Sequence, residues 1–443
     1  MNPTESPRLT VIGTGYLGAT HAICMAVLGF DVLGVDVDQR KVDRLASGEV
    51  PFFEPGLPEL LSKALESGRL RFTTSFEEAG EFGDVHFLCV GTPQQPGSDA
   101  ADLTYVDAAV RALAPTLTRR ALVVGKSTVP VGTARHLTDL IHELAPAGEE
   151  VELAWNPEFL REGFAVDDTM RPDRLVFGVE SDWAEERLRA AFKPILEGQG
   201  TPVVRTDLAT AELVKVAANS FLATKISYIN AMAEVCEAVG ADIKHLADSL
   251  ALDDRIGGKF LKPGLGFGGG CLPKDIRAFA HRAEELGVGQ AVSFLREVDD
   301  INRRRRARTV DLVREMLGGI SGKRIAAWGA AFKPNSDDIR DAPALDVART
   351  MHGLGGRVRV FDPAALDNAR RAFPELRYGD SAFDVAQDAD VVVLLTEWSV
   401  FKEIEPDALA QVVKHKRIVD GRHALDAEKW RSAGWEYRAL GRS

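Results

Sequence analysis

Apolar residues recur along this chain in two rhythms. In residues 8–38 a short apolar run, LTVIG, leads through the turn TGYLG into ATHAICMAVLGF, spaced like a helix, and then into a second run, DVLGVDVD. Continuous apolar runs of this length suit strands buried on both faces, so the pattern predicts a βαβ unit. Two further runs, DVHFLCVGT from Asp84 and ALVVGKSTV from Ala121, are separated by helical segments and extend the prediction to a doubly wound parallel sheet. From Asp207 the rhythm becomes helical throughout, with apolar side chains three and four apart until Gly240, which predicts one long central helix. After Ser321 the strand–helix alternation returns in KRIAAWG, a helix around residues 344–354, RVRVFDP, ADVVVLLTEW and KRIVDGR. The expected fold is therefore α/β: two Rossmann-like doubly wound domains joined by a long helical connector, divided at residues 1–205, 206–305 and 306–443.

At roughly 150 residues per domain, the 443 residues accommodate about three compact units. Apolar residues at 45% against 27% charged are the balance of a chain that buries several cores. With 54 Lys+Arg against 66 Asp+Glu the net charge is −12, so no global field favours nucleic acid or an anionic membrane. An acidic ligand then needs a locally basic pocket. The one basic run, Arg303 to Arg306, reads as a solvated or salt-bridged helix face. Cys24, Cys89, Cys236 and Cys271 are too scattered for a disulfide framework and form no CxxC pair, so no metal site is expected. The opening MNPTESPR lacks the features of a signal peptide, and no apolar stretch nears the roughly 18 residues of a membrane span. A cytoplasmic location without membrane partners is expected.

Gly13, Gly15 and Gly18 form GTGYLG between a strand and a helix. The first glycine permits the tight turn, the second lets backbone approach a pyrophosphate, and the third lets helix and strand pack. Asp36 closes the second strand, where a carboxylate can accept the ribose hydroxyls of an adenosine and repel a 2′-phosphate, so NAD is the expected cofactor. Lys41 is open between a place beside that ribose and plain solvent exposure. Thr92, in Gly91-Thr92-Pro93, and Thr128, in Ser127-Thr128-Val129-Pro130, follow apolar strands and fall at the sheet's ligand edge. Their hydroxyls are candidate polar contacts, or simple turn starts before proline.

Residues 260–275, FLKPGLGFGGGCLPKD, combine a glycine-rich loop with a cysteine, a lysine and an aspartate. A thiolate at Cys271 can attack a carbonyl carbon, and Lys274 or a helix N-terminus would favour the thiolate. Asp275, one helical turn on, is placed to act as a base on water. In NPEFLRE, Glu158 and Glu162 are spaced i, i+4, so a helical turn would put both carboxylates on one face; the alternative is a solvated helix start. Lys215 and Asn219 repeat that spacing among apolar neighbours on the central helix, and an inward-facing lysine and amide suit an oxyanion.

GTGYLG, STVPVGT, NPEFLREG, ELVKVAAN, FLKPGLGFGGGCLPKD and AFKPNSDDIRDAP occur in this order across nearly the whole chain. Together they resemble the UDP-glucose 6-dehydrogenase family of nucleotide-sugar dehydrogenases. The resemblance implies an N-terminal NAD-binding domain, a helical connector that forms a homodimer, and a C-terminal domain holding the UDP end. It implies Cys271 as nucleophile and Lys215 and Asn219 as polar groups near the reacting oxygen. Asp275, Thr128 and Glu158 would handle water, with Glu162 a further active-site carboxylate. NAD would be met by Gly13, Gly15, Gly18, Asp36, Lys41, Thr92, Thr128, Glu162, Lys274 and Arg340. The nucleotide sugar would be met by Glu158, Phe159, Leu160, Arg161, Glu162, Lys215, Asn219, Phe260, Leu261, Lys262, Pro263, Gly264, Gly268 and Lys333, with Arg255 crossing from a second copy. Asp341 is followed by Ala342-Pro343 where relatives more often carry Ser-Pro. The implied activity is oxidation of UDP-glucose to UDP-glucuronate through a cysteine thiohemiacetal and thioester. GDP-mannose or UDP-N-acetylmannosamine as substrate, or a catalytically silent nucleotide-sugar-binding regulator, are the alternatives.

Overall fold

The computed structural model describes residues 6–442; the first five residues of the opening segment read for a leader lie outside the described residues. The chain divides into two compact units, one running to Ala218 and the other beginning at Asn219. The first is built on eight short strands: β1 (Leu9–Ile12), β2 (Val32–Val35), β3 (Leu70–Thr73), β4 (Val85–Leu88), β5 (Ala121–Gly125), β6 (Val151–Trp155), β7 (Leu175–Gly178) and β8 (Val203–Thr206). Their order is β3-β2-β1-β4-β5-β6-β7-β8. Neighbours run parallel except β6 and β7, which meet antiparallel at the pair Trp155 and Gly178. β1, β2, β4 and β5 are buried along their whole length, which explains their unbroken apolar runs. Leu9, Val11 and Phe87 face one helical layer with Ile23 and Met25, whereas Ile12, Leu33 and Leu88 face the other with Leu137 and Ile141. β3 and β8 escape the apolar-run reading because they lie at the sheet edges and carry exposed arginines.

The second unit holds a six-stranded sheet: β9 (Arg324–Trp328), β10 (Arg357–Phe361), β11 (Arg377–Tyr378), β12 (Val391–Leu394), β13 (Arg417–Asp420) and β14 (Glu436–Ala439), all parallel in the order β11-β10-β9-β12-β13-β14. The expected pair of doubly wound sheets is thus present. A 32-residue helix, Leu208–Val239, carries the chain from one unit to the next, and Gly240 ends it at φ +71°. The helix Phe294–Leu317 runs through the expected division between residues 305 and 306. Among the described residues no helix is long and apolar enough to cross a membrane.

The basic run on that helix is not uniformly solvated: two of its four members are buried and take the salt-bridged alternative. Arg305 is fully buried and pairs with Glu237 at 3.0 Å, while Arg306 reaches Asp341 at 2.8 Å and the Phe267 carbonyl at 3.2 Å. Carboxylates on neighbouring elements offset the desolvation that an isolated guanidinium would suffer. Only Arg303 and Arg304 are exposed.

Both sheets close their first turn in the same way. Gly13 follows β1 with φ +89°, Gly329 follows β9 with φ +116°, and an aspartate just past the second strand accepts the N–H groups that follow. In the first unit Asp36 accepts the Thr14 N–H at 2.8 Å. In the second, Asp362 Oδ2 accepts Ala330 N–H, Ala331 N–H and the Trp398 indole N–H at 2.8, 3.0 and 3.1 Å, while Oδ1 accepts Ala364 and Ala365 N–H, both at 2.9 Å. Asp362→Ala would strand buried donors that cost about 1–3 kcal/mol each. We expect a loss of at least about 3 kcal/mol in denaturant unfolding after partial relaxation; an unchanged unfolding midpoint would show that the carboxylate is dispensable.

Candidate functional site

In the first unit the crevice lies where the strand order reverses, between β1 and β4. Gly15 caps the helix Tyr16–Val27, and a Cβ added there would meet no atom within 4 Å. At Gly18 an added Cβ would sit 1.8 Å from the Gly13 carbonyl oxygen, so only glycine lets this helix close on the turn. The open side at Gly15, facing the unsatisfied N–H groups of a helix start, fits a pyrophosphate. Asp36 is buried; its Oδ2 accepts the Thr14 N–H and hydroxyl and its Oδ1 accepts Asp38 N–H at 3.0 Å, which leaves Oδ1 with capacity for a ribose hydroxyl. The Lys41 ammonium lies 3.4 Å from Asp36 Oδ2, although its side chain stays half-exposed. These residues fit a dinucleotide.

The hydroxyls expected at the sheet edge are largely turned to the backbone. Thr92 donates to the Thr128 carbonyl at 2.7 Å and Ser127 to the Val90 carbonyl at 2.6 Å, so they tie the loops after β4 and β5 together.

The helical turn expected to align Glu158 and Glu162 does not form, and that expectation is corrected. Residues 156–161 are irregular, and the next helix is Ala165–Met170. Pro157 supplies no N–H, and the Glu158 carboxylate takes the Leu160 N–H at 2.5 Å, a local bond that competes with helix formation. Glu158 instead pairs with Lys215 at 3.1 Å, both side chains nearly buried, and the Lys215 ammonium lies 5.5 Å from the Phe159 ring centre. Arg161 is fixed by Asp168. Glu162 lies near the Tyr16 hydroxyl, whose pKa is raised by burial first and then by Glu54 and Glu162.

In the second unit Cys271 caps the helix Leu272–Glu285 and is exposed, whereas Cys24, Cys89 and Cys236 are buried. Burial pushes the Cys24 and Cys89 thiols up to about 12, which removes them as nucleophiles at neutral pH. Asp275, one turn along, is buried and accepts Asn219 Nδ2 and Lys274 Nζ, each at 2.6 Å. Lys274 is therefore paired with Asp275. The glycine loop is tightly covered: a Cβ at Gly268 would lie 2.3 Å from the Asp341 carbonyl oxygen, and Gly269 N–H donates to the Arg340 carbonyl at 2.9 Å. The Arg340 side chain pairs with Asp338, the Lys333 ammonium lies 5.3 Å from the Phe332 ring centre, and Arg255 pairs with Asp253. Phe260 holds φ +64°, uncommon for a bulky residue, while Leu261 and Pro263 are buried, Lys262 is exposed and Gly264 N–H donates to Asn230 Oδ1 at 2.8 Å.

Two organising residues were not legible in the sequence. Glu54 is buried and accepts Gly163 and Ala165 N–H, both at 2.7 Å, together with the Tyr16 hydroxyl, so it anchors the end of the NPEFLREG loop. Its one signal is a lone carboxylate within PFFEPGL. Arg422 donates to the carbonyls of Gly266 at 2.9 Å, Phe332 at 3.3 Å and Leu395 at 2.9 Å, bracing the glycine loop. It stands two residues past the end of β13, and nothing in its neighbours marks it.

We expect cofactor choice to be set at Asp36. A 2′-phosphate there would bring like charges together, an effect worth several kcal/mol, and the half-exposed Lys41 offsets only part of it. The preference for NAD over NADP in kcat/KM should fall on the order of tenfold or more in Asp36→Ala. An unchanged ratio would remove Asp36 from this role.

Three family models match consecutive stretches of the chain: the NAD binding domain of the UDP-glucose/GDP-mannose dehydrogenase family at residues 7–196, its central domain at 209–304 and its UDP binding domain at 326–427. A UDP-glucose 6-dehydrogenase of Rhizobium meliloti is 41% identical over 438 residues, 98% of this chain and 99% of that protein. The UDP-glucose 6-dehydrogenase TuaD of Bacillus subtilis is 38% identical over 436 residues, 98% and 93% of the two chains. Among solved structures, a UDP-glucose dehydrogenase from Pyrobaculum islandicum is similar with a TM-score of 0.91 at 37% identity, covering 100% of this chain and 99% of that one. A UDP-D-ManNAc dehydrogenase from Pyrococcus horikoshii has a TM-score of 0.85 at 28% identity, covering 98% and 99%. With its glycine turn and strand-end Asp36 in place and these relatives matched over nearly their whole length, the chain belongs to the UDP-glucose/GDP-mannose dehydrogenase family of NAD-dependent oxidoreductases.

Proposed function

We propose that this chain oxidises C6 of UDP-glucose to the carboxylate of UDP-glucuronate in two steps. The observation that carries this reading is the exposed Cys271 at a helix start, with the buried Asp275 carboxylate one turn on, held by Asn219 and Lys274. The names borne by relatives at 37–41% identity support UDP-glucose as the sugar.

Bound NAD supplies the hydride acceptor for each oxidation, held by Gly13, Gly15, Gly18 and Asp36, with Lys41, Thr92, Thr128, Glu162, Lys274 and Arg340 as further contacts. In the first oxidation C6 gives up a hydride and its hydroxyl a proton, leaving an aldehyde. The Cys271 sulfur then adds to the aldehyde carbon, and the carbonyl oxygen becomes an oxyanion. Lys215 and Asn219, both buried and one turn apart on one helix, are suited to stabilise it; such donors are commonly worth about 3–4 kcal/mol each. Loss of a second hydride gives the thioester. Water adds to it and the thiolate leaves, with Asp275 as base and Thr128 and Glu158 handling the water. Residues 158–162 and 260–264, with Gly268 and Lys333, hold the nucleotide sugar. The division of labour follows residues 1–205 for the dinucleotide, 206–305 for the reacting groups and the dimer, and 306–443 for UDP. A reactive thiol and a soluble dinucleotide cofactor suit a cytoplasmic location.

The partner is a second copy of the chain. Phe221, Tyr228 and Val235 of the long helix are more than half exposed at seven-residue spacing, an apolar stripe of the kind that packs helix against helix, and the exposed Arg255 would then exchange Asp253 for the neighbouring substrate.

The wild type should release two NADH per UDP-glucose and act far more slowly on GDP-mannose or UDP-N-acetylmannosamine. A faster rate on either of those would move the assignment, and no turnover on any sugar would favour a silent binder. Cys271→Ala should abolish uronate formation, because the thioester route is lost. Two NADH per sugar from this variant would sink the covalent mechanism. Tyr228→Glu should shift the sedimenting species to the monomer; an unchanged dimer would place the interface elsewhere.

A further inference from the structure

Lys126, the first residue after β5, is 6% exposed, and its ammonium makes one hydrogen bond among the described residues, to the neutral Asn156 Oδ1 at 2.8 Å. The rings of Phe87 and Phe192 lie 5.8 and 5.5 Å away on its other sides. A lysine surrounded by apolar side chains is costly to bury, and a hydrophobe of similar volume would pack there at less cost. Burial accordingly lowers its pKa, and the charged or titratable groups around it are His21, Cys89, Glu158 and Lys215. Such a lysine retained beside a catalytic pair calls for a role beyond packing.

Asn156 supplies that role. It is 1% exposed, its N–H donates to the Gly125 carbonyl at 2.8 Å, and its Nδ2 donates to the Val176 carbonyl at 2.9 Å. Lys126 fills the amide's remaining acceptor. Asn156 therefore stands as a fixed post at the end of β6, and the chain leaves it irregularly through Pro157 to Glu158, whose carboxylate meets Lys215 at 3.1 Å. No repeating backbone pattern fixes these residues, so their path depends on side-chain bonds of this kind. We propose that Lys126 is a positioning residue for the oxidation: by holding Asn156 it sets the path of residues 156–160, and through it the Glu158 carboxylate against Lys215. The proposal rests on the reading that Glu158 and Lys215 serve the reaction.

The test is a double-mutant cycle on the full chain, read as NADH formation from UDP-glucose and NAD. Lys126→Met should lower kcat on the order of tenfold with both KM values within about threefold, the signature of an interaction that matters in the transition state. In a Glu158→Gln background the same substitution should cost less than about twofold, because its target is already gone. Equal losses in the two backgrounds, an unchanged kcat, or a rise in KM alone would overturn the proposal. Asn156→Ala breaks the same bond from the other side and should show the same pattern, so a Lys126→Met protein that fails to fold still leaves a deciding variant. An active wild type whose Lys126→Met variant is equally active defeats this proposal alone. A wild type inactive on every sugar defeats the functional reading and this proposal with it.

Discussion

A turn that leaves a buried strand with positive φ turns its N–H groups inward, where water cannot satisfy them, and in each sheet one aspartate past the second strand accepts them. The position of the first glycine turn, and in the first unit of the helix Tyr16–Val27 that starts from it, follows from that bond. The two aspartates serve this purpose with different reserves. Asp362 takes five donors on two oxygens and is a closed brace. Asp36 takes fewer, and its Oδ1 keeps capacity for a ligand. Asp362, filled by those donors, has no acceptor left over for a ligand of the second unit.

The buried charges divide by what surrounds them. Arg305 and Arg306 are matched by carboxylates from neighbouring elements, as expected where an ion pair stabilises a helix junction. Glu158, Lys215 and Asp275 are also paired, but with partners whose own chemistry is useful: an ammonium beside a carboxylate, and an amide beside another carboxylate. Each pairing keeps a polar side chain ordered without neutralising the whole neighbourhood. Lys126 stands apart because its hydrogen bond goes to a neutral amide.

Strands β1, β2, β4, β5, β9, β10, β12 and β13 and the long helix were legible because burial forces apolar runs and a 32-residue helix needs only a periodic apolar pattern and a terminal glycine, whereas β6 and β7 went unread although buried. Edge strands β3, β11 and β14 were not, since partial exposure mixes arginine, glutamate and tyrosine into them. At the site, Gly13, Gly18 and Asp36 could be read because their local conformation is their function. The spacing of Glu158 and Glu162 misled, because Pro157 and the bond from Leu160 N–H override a periodicity that two residues alone cannot establish. Asp36 and Asp362 follow similar strands, and only their hydrogen bonds separate a carboxylate with an acceptor in reserve from a filled one. Glu54, Lys126 and Arg422 act on segments distant in sequence, so no local pattern could announce them.

The same logic bears on why the proposed reaction would join a dinucleotide fold to a thiol. Oxidising an alcohol to an aldehyde requires a hydride acceptor and a base, which the first unit's crevice and an ordered polar group suffice to provide. Going on to an acid requires a tetrahedral carbon that still bears a hydrogen, and free aldehyde reaches that state only by hydration. In the proposed mechanism, a sulfur held at a helix start would create it covalently and keep the intermediate bound between the two oxidations. For that the thiol must be exposed to substrate and favoured as thiolate, two conditions that the buried Cys24, Cys89 and Cys236 fail. Cys271 meets the first by its exposure, and the helix that begins beside it, with its N-terminal N–H groups, supports the second. On that proposal the close cover over Gly268 and Gly269 would have a physical purpose: a loop free to move would carry the sulfur out of line with the carbon it is to attack.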